Sequence, residues 1–141
     1  TKSELANIIK EQRISEQVLK YAVGELKTGV SEIQIANLIK KAYKGLRAPV
    51  LSFPPIVAFG KNSANIHHEP NNTKLKVGDT VIFDIGTNVN HYCSDMTRTY
   101  FWGKPNAKQK KVYLDVLKAQ ELAENKIKNG EIDNIEVDGN Q

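Results

Sequence analysis

With 141 residues, 40% hydrophobic and 26% charged, the chain has the composition of a globular protein with room for one modest core. It lacks the apolar run of about 18 residues that a membrane helix needs, and Thr1 to Lys10 mixes Lys, Ser, Glu and Asn, so neither a membrane span nor an export signal is expected. The 20 Lys and Arg residues give a net charge of +4, but most lie beside Glu on expected helices without interleaved aromatics, which excludes a nucleic-acid surface in favour of solvated helix faces.

From Ser3 to Lys27 the apolar residues Leu5, Ile8, Ile9, Val18, Leu19, Ala22, Val23 and Leu26 recur at helical spacing, and Gly29 supplies the stop. Ser31 followed by Gln34 forms a capping box that opens a second helix to about Lys44, with Ile35, Leu38, Ile39 and Ala42 on its core face. Pro49, Pro54 and Pro55 forbid helix, and Ile56 to Phe59 is a short buried strand bounded by Pro55 and Gly60. Lys61 to Lys76 is a polar loop by composition. Thr80 to Gly86 is a β-branched strand interrupted by one carboxylate. Asn88 to Asn90 is expected to turn the chain into a second strand from Tyr92 to Trp102, completing a hairpin. A third helix follows Pro105 and Asn106 and closes at Asn129-Gly130. The tail through Ile135 and Val137 echoes the stretch from Leu26 to Ile35, as a second copy of the opening helix pair would.

Asp84 lies inside a strand that otherwise reads as core, and a simple hairpin brings Asp95 nearly opposite it. Two apposed carboxylates repel unless a cation lies between them. The spacing alone leaves two readings open: a divalent metal site, or exposed edge residues with Asp95 paired to Arg98. The single Cys93 precludes an internal disulfide and fits a reducing, cytoplasmic setting. Beside Asp95, it reads as a small buried residue.

The surrounding residues are more specific. Ser52-Phe53-Pro54-Pro55-Ile56-Val57-Ala58-Phe59-Gly60, Asn62-Ser63-Ala64 and His67-His68-Glu69-Pro70 come first. Gly78-Asp79, Asp84-Ile85-Gly86, Tyr92-Cys93-Ser94-Asp95-Met96-Thr97-Arg98-Thr99 and Gly103-Lys104-Pro105 follow in that order. Together they resemble the N-terminal half of the catalytic domain of pita-bread metallopeptidases of the aminopeptidase P and prolidase branch. Methionine aminopeptidases share the fold and the Asp spacing, but Ser-Asp-x-Thr-Arg-Thr and Phe-Pro-Pro-Ile-Val-Ala look more like the proline-directed branch.

The resemblance implies an α+β fold: a helical pair over 1–45, strands and a metal-ligand hairpin over 53–103, a helix over 106–129, and at 130–141 the start of a truncated second repeat, all in one partial domain, 1–141. It implies hydrolysis of N-terminal Xaa-Pro bonds through a metal-bridging water. Asp84 would chelate one metal and Asp95 bridge two, Thr97 would support the carboxylates, and His67 would contact the peptide substrate. Oxygen ligation favours Mn(II), with Co(II) or Zn(II) as alternatives. His68 falls where the family often has an aromatic residue and is expected to pack or sit at the rim, while His91 is expected to be solvated in the hairpin turn.

A family site also needs a later His and two Glu ligands, for which His67, His68, Glu121, Glu124, Glu131 and Glu136 are not substitutes. The chain alone is therefore expected to be inactive. The alternative is a non-catalytic module that binds peptides or proteins. A homodimer covering an open sheet edge is also expected.

Overall fold

The computed structural model describes residues 1–129 and divides into two compact units, Thr1–Pro105 and Asn106–Gln141. The expected echo of the opening helices, at Ile135 and Val137, lies outside the described residues.

In the first unit, helix α1 runs from Lys2 to Gly24. Thr1 caps it reciprocally with Glu4, closing orphan amides at the first turn. The helix stops at Gly24, short of Lys27, and residues 27 to 30 form a separate turn in which Gly29 takes φ +88°. The buried stripe of α1 is Glu11, Ser15, Val18, Leu19 and Ala22, while Leu5, Ile8 and Ile9 are exposed. The apolar spacing thus identifies the core face of α1 only from Val18 onward; before it the buried positions are the polar Glu11 and Ser15.

Helix α2, Glu32–Gly45, opens on the expected Ser31–Gln34 capping box. Ile35, Ile39 and Tyr43 on α2 are fully buried, and Leu38 and Ala42 pack at the margin.

Strands β1 (Ile56–Phe59), β2 (Thr80–Ile85) and β5 (Met96–Phe101) form an antiparallel sheet in the order β1-β2-β5. Alternation along β2 sends Val81, Phe83 and Ile85 into the core shared with both helices, and leaves Thr80, Ile82 and Asp84 on the opposite face, half-buried. Full burial of side chains such as Phe59 and Phe83 contributes roughly 1.5–3 kcal/mol apiece.

The hairpin is not the simple one expected. Asn88–Val89 is a strand, β3, rather than a turn, and pairs with β4, Tyr92–Cys93; the reversal is at Asn90 and His91, both in the left-handed region at φ 55° and 67°. The expected strand from Tyr92 to Trp102 is therefore split, with Ser94 and Asp95 in the break. The polar loop is also more structured than its composition suggests: Gly60–Ala64 is a 3-10 helix, and His68 and Leu75 are buried.

In the second unit, α3 runs from Ala107 to Lys128 with an Asn106–Gln109 capping box, and Val112, Leu114, Val116, Leu122 and Ile127 along it are exposed.

Candidate metal centre

The register of β2 with β5 places Asp84 directly opposite Thr97, and Ile85 opposite Met96. Asp95 falls just beyond the end of β5, diagonal to Asp84 rather than facing it, because β3 and β4 take up the residues that a simple hairpin would have paired. The two carboxylates are nonetheless neighbours. Burial pushes the Asp84 carboxyl above the ordinary range, the Thr97 hydroxyl opposes this, and the adjoining Asp95 carboxyl raises it further by charge and by hydrogen bonding. Thr97 Oγ1 donates to Asp84 Oδ1 at 2.9 Å. Asp84 is half-buried, whereas Asp95 and Thr97 are exposed.

The alternative pairing of Asp95 with Arg98 does not occur among the described ion pairs; Arg98 Nη1 donates to the Thr97 carbonyl at 2.8 Å. Cys93 is exposed rather than buried, and its Sγ accepts from Asn88 Nδ2 at 3.3 Å. His91 is exposed in its turn, as expected.

What holds Asp95 in place is the residue before it. Ser94 is buried, and its Oγ lies 2.7 Å from Ser15 Oγ on α1, which in turn lies 2.9 Å from the Tyr43 hydroxyl on α2. The Thr87 amide donates to Ser94 Oγ at 3.0 Å, and Ser52 Oγ donates to the Ser94 carbonyl at 2.8 Å. This hydroxyl cluster ties the break between β4 and β5 to both helices. Burial pushes the Tyr43 phenol up to about 12, keeping it a neutral hydrogen-bonding partner. Gly86 makes the approach feasible, since a Cβ there would meet the Ser94 carbonyl oxygen at 2.1 Å.

His67 is exposed in the loop after the 3-10 helix, with its amide donating to Asn65 Oδ1 at 3.2 Å. His68 is buried as expected of a packing residue, but its partner is polar: Nε2 lies 2.7 Å from Glu32 Oε2. Sequence reasoning missed Glu32, Ser15 and Ser94. An acidic residue in the first turn of a helix reads as complementing the helix dipole, and serines at helical and loop positions carry no sign of burial.

The donor set suits a hard divalent cation: two neighbouring carboxylates, one with a raised pKa in the cation's absence. Among the described residues no third His, Cys, Asp or Glu joins them. The centre therefore has the kind of ligand a cation needs but not the number that would hold it tightly. No described helix is long and apolar enough to cross a membrane.

The profile of metallopeptidase family M24 matches residues 6–138. An uncharacterized peptidase of Staphylococcus aureus (strain bovine RF122 / ET3-1) is 35% identical over 130 residues, covering 92% of this chain and 37% of that protein. The crystal structure of a prolidase from Thermococcus sibiricus is similar with a TM-score of 0.82 at 42% identity, over 87% of this chain and 34% of that one. An X-Pro aminopeptidase from Thermotoga maritima is similar with a TM-score of 0.81 at 31% identity, over 86% and 34% respectively. The chain thus spans little more than a third of the length of these relatives, and its helices and sheet form the N-terminal half of the pita-bread fold. The match over nearly the whole chain, in sequence and in fold, shows that it belongs to the M24 metallopeptidase family.

Proposed function

We propose that this chain is part of the catalytic domain of a two-metal peptidase that removes or splits N-terminal Xaa-Pro units, acting on peptides with proline at the second position. The observation that carries the reading is the neighbouring pair Asp84 and Asp95, with Thr97 donating to the first and the Ser94 cluster anchoring the second. The similarity to a prolidase and an X-Pro aminopeptidase supports the proline-directed branch over methionine aminopeptidases.

In this reading Asp84 would hold one cation and Asp95 would be shared with a second, and their oxygen donors would favour Mn(II). Such cations, when bound, supply an acidified water and counter-charge for a developing oxyanion. Thr97 fixes the Asp84 oxygen it touches and so orients the carboxylate that would hold the cation. In this reading the solvent-exposed ring of His67 donates a hydrogen bond to the peptide. The whole domain would be completed by ligands outside the described residues. An unpaired Cys93 suits a reducing cytoplasm, and a dimer would cover the sheet edge.

The test is metal binding and turnover by the 141-residue chain. Weak Mn(II) binding in electron paramagnetic titrations, lost in Asp84→Asn and Asp95→Asn, is expected, with no Xaa-Pro hydrolysis. Absence of any Mn(II) binding would overturn the metal reading. Turnover abolished by Asp95→Ala would overturn the expectation that the chain alone is inactive.

A further inference from the structure

Glu32 is the first residue of α2, is fully buried, and receives four donors. Its Oε1 accepts from the Phe59 amide at 2.7 Å and from Asn62 Nδ2 at 2.9 Å. Its Oε2 accepts from the Asn71 amide at 3.1 Å and pairs with His68 Nε2 at 2.7 Å. These partners come from the end of β1, the 3-10 helix, and the part of the following loop just after His67.

The same loop is clasped by the first turn of α2 itself. The Glu32 amide donates to the Thr73 carbonyl at 3.2 Å and the Ile33 amide to the Asn71 carbonyl at 3.0 Å, using groups a helix N-terminus leaves without intrahelical partners. Asn62 Nδ2 also reaches Thr73 Oγ1 at 3.1 Å, and Asn71 Oδ1 accepts from the Thr73 amide at 2.8 Å.

A buried carboxylate carries a large desolvation cost, and an apolar residue would fill the same volume without it. Here the cost is offset by donors drawn from residues 59 to 71. The carboxylate therefore organises the loop rather than the helix. Within that loop His68 is held inside and its neighbour His67 is exposed, so fixing the first fixes the backbone of the second.

We propose that Glu32 is a positioning residue for His67, acting through His68 and Asn71, and that the buried Glu32–His68 pair sets where the His67 imidazole stands relative to a bound peptide. The proposal rests on the reading of His67 as a substrate contact. Replacing Glu32 by Gln keeps the volume but puts an NH2 group against one of the two donor pairs, and at least one backbone amide, of Phe59 or Asn71, or its side-chain companion loses its acceptor. His68→Gln retains a side-chain donor for Glu32, whereas His68→Leu does not.

The experiment uses the natural gene product loaded with Mn(II) and a chromogenic Xaa-Pro substrate, and compares Glu32→Gln, His68→Gln, His68→Leu and His67→Ala. Glu32→Gln and His68→Leu are expected to lower kcat about 10- to 100-fold, the scale set by sub-ångström misplacement of a reacting group. Mn(II) affinity should be unchanged, His68→Gln should recover much of the loss, and amide exchange should quicken at Phe59 and over residues 65 to 73 without a global rise. Unchanged kcat in Glu32→Gln beside a crippled His67→Ala would overturn the positioning role alone. A kcat loss matched by lost Mn(II) affinity and global melting would reduce Glu32 to a structural residue and overturn the role as well. Full activity in His67→Ala would overturn the substrate contact, and the positioning role with it.

Discussion

Glu11 is fully buried in α1 with neither carboxylate oxygen hydrogen-bonded among the described residues, in contrast to Glu32 with its four donors. Burial pushes the Glu11 carboxyl above its ordinary value of 4.5, and Lys10 only partly offsets this. A raised folded value means that the favourable contribution is full below 4.5 and is lost as pH rises through the raised value. Glu11→Met is therefore expected to stabilise the chain at pH 7 by about 1–3 kcal/mol, the cost of one unsatisfied buried group. Urea titrations at pH 7 and pH 4 check this, and the gain should shrink at the lower pH. The same scale applies to His91, whose φ of 67° follows Asn90 at 55°. A two-residue reversal with both residues left-handed favours Asn-Gly, so His91→Gly should add about 0.5–1 kcal/mol, read from the denaturation midpoint.

At the scale of elements, the small β3–β4 hairpin is what separates this site from a plain pair of facing strands. It shifts Asp95 off the ladder, so that Thr97 rather than Asp95 faces Asp84, and it carries Ser94 back onto α1 and α2. The tight point is Gly86, where an added methyl would meet the Ser94 carbonyl oxygen at 2.1 Å and Ser52 Oγ at 3.0 Å. Gly86→Ala is expected to cost at least about 1–3 kcal/mol through overpacking against backbone. It should also weaken Mn(II) binding, because the strand break that holds Asp95 has to move. Ser15→Ala should produce a milder version, about 1 kcal/mol for lost hydrogen bonds, with Mn(II) binding reduced less. Calorimetry and metal titration on the same samples separate the two effects.

Across the whole molecule, β5 pairs with β2 on one side and has no described strand on the other, so among the described residues it forms an edge of the sheet, the kind of strand on which a second chain can add. The chain covers little more than a third of its relatives, and its described residues supply two carboxylates where a tight site needs more. Light scattering on the 141-residue chain is expected to show mass rising with concentration toward a dimer. A single mass of 15.8 kDa at every concentration would count against edge pairing.

The capping box at Ser31 and Gln34, the apolar strand Ile56 to Phe59 and the single carboxylate in β2 were legible because each depends on local chemistry: a side chain closing its own helix end, or alternation along one strand. The ordered motifs from Phe53 to Pro105 likewise determined the family resemblance. Which face of α1 goes inside around Glu11 and Ser15 was not legible, because Ser15 is held by Ser94 and Tyr43 far away in sequence and the buried Glu11 is a charged residue type that ordinarily faces solvent. Glu32 and His68 lie 36 residues apart and read separately as a helix-start acid and a packing residue. Only their approach in three dimensions makes a buried pair. The sequence by itself determined the residue types that can bind a cation and the elements that present them; tertiary structure decided their register and support, since these depend on long-range contacts that no local pattern encodes.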